Sequence, residues 1–227
     1  MPSNSSRTRR ATPYLVTFLL DRANNWIEGH LLQSKAFVSD KTYRFTISHD
    51  HSEVSDRDIV FILGYTRILD KSFLSKNHLN VVIHESDLPL GKGFAPVQWQ
   101  ILEGKKEIPI CLLEAGEQVD SGDILFKSSF ILSGYELYDE IRAAQAKATF
   151  AAISEFLNLF PNITRTRQSG GDSFYRRRTP KDGELNIDKT IREQFDLLRI
   201  GNNELWPSFF CVDGKKYLLK IYKSEDS

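Results

Sequence analysis

Asn80-Val81-Val82-Ile83-His84-Glu85-Ser86-Asp87-Leu88-Pro89 runs on through Gly91-Lys92-Gly93-Phe94-Ala95-Pro96-Val97-Gln98-Trp99-Gln100-Ile101, and this one stretch contains strand, turn and helix. Asn80–Ile83 is a short apolar run of β-branched residues, as expected of a strand buried on both faces. His84 stands at its end, followed by Ser86, Leu88-Pro89 and a glycine-rich turn. Pro96 opens a helix that reads to Leu102, because the first helical turn does not need the N–H that proline lacks. Ile108–Leu113 returns as a further strand.

The same alternation extends in both directions. Tyr14–Leu20 reads as a buried strand and Trp26–Gln33 as a helix. Tyr43–Ser48 alternates as a strand that ends in the polar turn His49-Asp50-His51. Asp58–Leu63 is an apolar strand closed by Gly64, and Ile68–Leu74 a short helix. Asp123–Ser129 has the look of an edge strand. Leu137–Leu159 is a long amphipathic helix with Leu137, Ile141, Ala144, Ala148, Ala151, Ile153 and Phe156 on or near one stripe. Strands separated by helices at this spacing imply an α/β fold with a doubly wound, mostly parallel sheet. Beyond Pro161 the character changes. Arg165, Arg167, Arg176, Arg177 and Arg178 surround Ser169-Gly170-Gly171, a helix reads over Lys189–Leu198, and Phe209–Val212, Asp213-Gly214 and Lys216–Ile221 form a hairpin. The expected organisation is a disordered tail over 1–12, a main domain over 13–163, and a small C-terminal α/β extension over 164–227 that ends in the hairpin.

Composition narrows the class. With 227 residues, 41% hydrophobic and 26% charged, the chain is an ordinary globular one. Its 30 basic and 30 acidic residues cancel, which argues against long-range capture of nucleic acid. Cys111 and Cys211 lack metal-type spacing and read as buried, reduced thiols in a cytoplasmic setting. The apolar run Tyr14–Leu20 follows Arg7, Arg9 and Arg10 but lacks a cleavage site, and no run approaches the ~20 residues of a membrane span.

In a parallel α/β sheet, chemistry collects at the C-terminal ends of strands. His84, Gly64-Tyr65 and the loop before Asp120 fall there, whereas His30, His49, His51 and His78 sit in polar or helical contexts and read as surface residues. His84 alone could be a satisfied strand-end histidine. Its register with Ser86, Pro89, Gly93, Pro96, Trp99, Asp120, Gly122 and Ile124 marks it as functional. That order, an H-x-S-x-L-P turn, a G-x-x-P-x-x-W helix start and a D-x-G-x-I loop, resembles the catalytic core of the 10-formyltetrahydrofolate-dependent formyltransferases, with its Rossmann-like, methionyl-tRNA formyltransferase-like fold. Gly64-Tyr65-Thr66-Arg67-Ile68-Leu69 resembles the segment that lines that family's pterin pocket, and Glu117-Gln118-Val119 its other wall. Gln168-Ser169-Gly170, Tyr175-Arg176-Arg177-Arg178, Pro180, Asp182-Gly183 and Trp206-Pro207 resemble the region after the core in the sugar N-formyltransferases. The likeness covers most of 58–221, and 14–57 fit as a generic first half of the fold.

The resemblance implies 10-formyltetrahydrofolate as cofactor, bound by Gly64, Tyr65, Arg67, Ile68, Leu69, Glu117 and Val119. A substrate amine would attack the formyl carbon. His84 would donate to the oxyanion or move the amine proton, and Asp120 would hold the imidazole's protonation state or order a relaying water, with no metal. Position 82 departs from the pattern. The family places asparagine two residues before the histidine, on the same strand face, and valine cannot donate. Asn80 shares that face but lies ~13 Å from His84 at ~3.3 Å per residue, so it reaches only through a bulge. Loss of one oxyanion donor costs ~10²–10³ in rate. Three outcomes follow: slow catalysis on His84 and Asp120, a replaced or shifted donor such as Asn80, or no catalysis. The expectation is the second.

Among acceptors, the resemblance favours a nucleotide-linked amino sugar of surface-glycan biosynthesis, with Ser86, Lys92, Gly93, Arg176 and Arg177 on the substrate side. Initiator methionyl-tRNA and glycinamide ribonucleotide are the alternatives, as is a catalytically weakened folate- or nucleotide-binding relative. The tRNA enzymes carry a further barrel domain, whereas residues 164–227 are all that follow here, and zero net charge suits tRNA poorly. The arginine-rich stretch is scaled to a pyrophosphate, though it reads equally as a solvated loop. No nucleic-acid or membrane partner is expected, and a homodimer is compatible with the reading.

Overall fold

The computed structural model describes residues 12–24 and 26–224, so the tail expected over 1–12 lies outside the described residues except for its last position. In chain order the elements are β1 (Tyr14–Leu20), α1 (Trp26–Ser34), β2 (Tyr43–Ser48), β3 (Ile59–Leu63), α2 (Lys71–Leu74), β4 (Asn80–His84), β5 (Lys92–Gly93) and α3 (Pro96–Leu102). There follow β6 (Glu107–Glu114), β7 (Ile124–Ile131), α4 (Tyr138–Leu159), β8 (Phe174–Tyr175), α5 (Phe195–Arg199), β9 (Ser208–Val212) and β10 (Lys215–Leu219). The main sheet has the order β2-β1-β3-β4-β6-β7. The first four strands in that order are mutually parallel, and β6 runs antiparallel to both β4 and β7. The α/β architecture with a mostly parallel sheet and a terminal hairpin is therefore as the sequence implies.

Every residue of β3 is buried, which is why its sequence is a continuous apolar run rather than an alternating one. On one face Phe18, Phe61 and Val81 pack beneath α1 and α4, with Phe156 of α4 edge-on to Phe61 at 5.8 Å. On the other, Leu19, Val60 and Ile62 pack with Val54 and with Phe73 of α2. The chain turns outward from β1 to β2 and then crosses back to β3, so the switch point lies between the C-terminal ends of β1 and β3. The buried carboxylate of Asp21 ties these ends together: it accepts from the Thr66 hydroxyl, from Thr66 N at 3.0 Å and from Ala23 N at 2.9 Å. Those donors, the Thr66 hydroxyl foremost, hold the carboxyl below its ordinary range against the effect of burial.

Two expected helices are shorter. The Ile68–Leu74 helix is the single turn α2, because Asp70 caps it by accepting from Phe73 N at 2.8 Å and leaves 64–69 as loop. The Lys189–Leu198 helix starts late, with a 3₁₀ turn at Arg192–Gln194 and then α5. Asn186 and Thr190 bond local groups instead, at Asp188 N and Glu193 respectively, which competes with helix formation. The extension does not stand apart from the core. β8 pairs with β5, and Thr166 exchanges two backbone hydrogen bonds with Ile124. Cys111 is buried as expected, but Cys211 is only half-buried; both are free thiols. Among the described residues no helix is long and apolar enough to cross a membrane.

Phe156 is fully buried between the sheet and α4. Its replacement by alanine is expected to lower the unfolding free energy by ~3–5 kcal/mol in a denaturant titration.

Candidate active site

His84 ends β4, and its ring is placed by two oxygens. Nε2 lies 2.8 Å from the carbonyl of Gly91; a carbonyl only accepts, so Nε2 carries the hydrogen. Nδ1 lies 3.5 Å from Asp120 Oδ2, with the two side chains 7% and 8% exposed. A neutral ring can donate to only one of these acceptors and an imidazolium to both.

The placement of Asp120 depends on a tightly held loop. Asp120 adopts φ +51°, uncommon for a residue with a side chain. Two residues later a Cβ on Gly122 would sit 1.7 Å from the Glu114 carbonyl, so only glycine fits. Oδ2 of Asp120 also accepts from Gly93 N at 2.9 Å, joining this loop to the glycine turn after β4. Gln168 Nε2 donates to the carbonyls of Asp120 (2.9 Å) and Gly122 (2.8 Å). Ser173 holds the other loop: its hydroxyl accepts from Gly91 N and its carbonyl from Lys92 N, both at 2.9 Å. Segment 166–176 is thus a strap fastened to both loops, with Trp99 Nε1 closing it on the Arg176 carbonyl at 2.9 Å.

His84, Asp120 and Gly93 come together as expected. Asn80 does not. Its Nδ2 donates to the Leu74 carbonyl at 2.9 Å, and the register from Val81 to His84 against β6 contains no bulge that would bring it closer. The expected shift of the donor to Asn80 is therefore corrected: a regular strand keeps it at the opposite end of β4. Val82 packs, half-buried, on apolar residues of β1, β3, β6 and α2. Ser86 is buried, and its hydroxyl oxygen has no protein partner. Lys92 is buried and paired with Asp172 at 3.2 Å.

The two loops expected to hold a pterin border Val82. Tyr65, Leu69, Val82 and Ala115 rest on one apolar cluster, and Lys71 and Glu117 join the loops at 3.7 Å. Ile68 and Val119, in these two loops, are 89% and 63% exposed. Arg67 lies over the Tyr65 ring and donates to the His49 carbonyl at 2.9 Å, and Tyr65 OH meets His51 Nδ1 at 2.8 Å. Gly64, at φ +60°, takes the Asn24 amide on its carbonyl at 2.9 Å.

On the other side of the glycine turn, between core and extension, is a cavity of about 660 Å³. Arg142 and Arg178 line it, with Trp26, Tyr138 and Trp206. Arg176 and Arg177, expected on the substrate side, are not among its lining residues. Arg176 pairs with Asp182 and lies over Trp99, while Arg177 covers the Phe94 ring at 4.3 Å. Sequence reasoning passed over Arg142 because a lone arginine on a long amphipathic helix carries no signal of its own.

A family model described as formyl transferase matches residues 7–155. The methionyl-tRNA formyltransferase of Rickettsia massiliae is 29% identical over 171 residues, 74% of this chain and 55% of that protein. The chain spans about half the length of the curated relatives it matches. Among solved structures, the methionyl-tRNA formyltransferase from Clostridium thermocellum superposes with a TM-score of 0.77 at 21% identity, covering 94% of each chain. A 4-N formyltransferase from Francisella tularensis gives 0.68 at 16% identity, over 93% of this chain and 98% of that one. Both likenesses bear on the fold.

Gln168→Leu removes both donations to the Asp120 loop. The variant is expected to be ~1 kcal/mol less stable than the parent in equilibrium unfolding, the cost of two half-buried carbonyls losing their hydrogen bonds.

Proposed function

Because the chain belongs to the formyl transferase family, we propose that it moves the formyl group of 10-formyltetrahydrofolate onto the amine of a nucleotide-linked amino sugar, a reaction of surface-glycan biosynthesis. The observation that carries this reading is the buried His84–Asp120 pair, which Val82 links to the apolar cluster and the glycine turn links to a cavity of single-nucleotide scale. Asp120 follows directly on Glu117-Gln118-Val119, and Gly93, bonded to Asp120, stands two residues before Ala95 on the cavity wall.

The bound cofactor supplies an activated formyl carbon. Gly64, Tyr65, Arg67, Ile68 and Leu69 would hold it on one side, and Glu117 and Val119 on the other. As the amine attacks, the Nε2–H that rests on the Gly91 carbonyl would turn to the oxygen that gains charge, and Nδ1 with Asp120 would take up the proton the amine releases. The same proton serves the departing nitrogen when the old C–N bond breaks. With Val82 apolar, no side-chain amide two residues before His84 shares this task, so more of it falls to the imidazole.

The acceptor is read from charge and size. A chain of zero net charge lacks the bias that a polyanionic tRNA calls for. A cavity of about 660 Å³ with two arginines and aromatic walls suits one phosphorylated, ring-containing molecule. The two free thiols suit a reducing, cytoplasmic compartment.

The test is release of tetrahydrofolate from 10-formyltetrahydrofolate with a panel of amino-sugar nucleotides as acceptors. Turnover with at least one is expected, and His84→Ala and Asp120→Ala should each lower kcat by ~10² or more. If both variants stay near the parent rate, the site is wrongly assigned. Folate binding without turnover on any amine would instead mark a weakened relative. Val82→Asn places an amide donor on the strand face of His84 and is expected to raise kcat at least about tenfold, short of the ~10²–10³ that an oxyanion donor in a site built for it contributes; a lower kcat in a folded variant would contradict this account of position 82.

A further inference from the structure

We infer that Arg142 and Arg178 form a diphosphate-binding pair, one guanidinium on each wall of the cavity between core and extension. The inference rests on the acceptor reading above and deepens it: the sequence marked the whole arginine-rich stretch for a pyrophosphate without choosing among its members, and gave Arg142 no role.

The two side chains reach the cavity from elements far apart, Arg142 from α4 and Arg178 from the end of the strap. Neither has a carboxylate ion-pair partner among the described residues. Arg142 donates to Tyr138 OH at 3.2 Å and to Gln145 Oε1 at 2.9 Å, and its guanidinium lies over the Trp26 ring at 4.4 Å. Arg178 donates from Nη2 to the Asp182 carbonyl at 3.1 Å, and its buried Nε has no partner among the described residues. The nearby carboxylate of Asp182 is occupied by Arg176 and Thr179. Burial pulls the Arg178 guanidinium below the usual arginine range, the sign of a cation short of compensation. Guanidinium keeps its charge in proteins, so such a group calls for an anion, and its planar fork matches phosphate oxygens in pairs. Asp139 is the one carboxylate on the cavity wall, against two guanidinium groups, so the lining stays cationic.

Arg142 is also indexed to the reacting centre. Gln145 is 3% exposed; its Oε1 faces a cation and its Nε2 donates to Glu85 Oε1 at 2.7 Å, which fixes the orientation of the amide. Glu85 follows His84 directly. Arg142, Gln145 and Glu85 thus place the anion site at a set distance from the imidazole. Trp206, 56% exposed on the same cavity, offers a flat face for the organic part of the ligand.

The test is calorimetric binding of UDP and dTDP to the full chain without folate, with uridine, thymidine and inorganic pyrophosphate as controls. At least one nucleoside diphosphate should bind, its nucleoside should bind more than tenfold more weakly, and pyrophosphate should compete. Arg142→Gln and Arg178→Gln should each weaken the diphosphate tenfold or more, while Arg176→Gln and Arg177→Gln stay within about threefold of the parent. Should either glutamine variant fail to fold, Arg142→Lys and Arg178→Lys are measured instead, and each should still lose affinity because an ammonium cannot grip two oxygens in a plane. Parent-like affinity in both the Arg142 and Arg178 variants, losses confined to Arg176 and Arg177, or no diphosphate binding to the parent would each overturn the proposal. The two readings fail separately. Binding that depends on Arg142 and Arg178 without formyl transfer to any amino sugar leaves this pair standing and removes the acceptor reading. Transfer to an amino-sugar nucleotide with unchanged KM in both variants does the reverse.

Discussion

One carboxylate oxygen gathers the site. Oδ2 of Asp120 takes the Gly93 N–H at 2.9 Å and lies 3.5 Å from His84 Nδ1, so it touches both the turn after β4 and the ring at the end of that strand. Neither contact would exist if residue 120 took an ordinary extended conformation. The left-handed backbone of Asp120, the glycine forced at 122 by the Glu114 carbonyl, and the Gln168 amide across both carbonyls all serve to keep that oxygen in place. Stabilisation of this kind is local, but it is supplied by three separate parts of the chain.

That arrangement explains why core and extension are laced together. The strap from Thr166 to Arg176 has little apolar burial of its own, and its hold is polar: backbone pairing with Ile124, with β5 and with the Phe94 N–H, and side-chain bonds through Gln168, Ser173 and Trp99. Its removal would free the loops of Gly91 and Asp120 at once. Past the strap the chain supplies the far wall of the cavity, so one crossing both orders the two loops and encloses the cavity. Two buried glutamines complete the link. Gln100 donates to the Glu85 carbonyl at 2.6 Å and Gln145 to its carboxylate, tying α3 and α4 to the residue beside His84.

Much of this was legible in the sequence, and the remainder was not for physical reasons. Strands such as Tyr14–Leu20 and Tyr43–Ser48 stand out because buried or half-buried β-structure selects branched and aromatic residues with a recognisable period, and Pro96 marked the start of α3. The reversal of β6 was hidden, since an apolar run reads the same whichever way its neighbour points. The β5–β8 pairing involves two residues on each side, too few to leave a pattern. The order of motifs singled out His84 and Asp120, whereas the division of labour among the arginines was closed to sequence reading. Arg176, Arg177 and Arg178 look alike in a string, and only the position of Asp182 in space decides which of them is neutralised. Asn80 misled for a related reason. A shared strand face says nothing about reach, and a ladder without a bulge left it bonded to the end of α2.

The central claim is that His84 and Asp120 serve formyl transfer to a phosphorylated amine. It is tested most directly by following a carbon-13 label from the formyl group of 10-formyltetrahydrofolate by NMR, with an amino-sugar nucleotide present. The account expects the label to appear as a formamide on the sugar nitrogen with the parent protein and to remain on the folate with His84→Ala. A label that stays on the folate with the parent protein, or that emerges only as free formate, would contradict it.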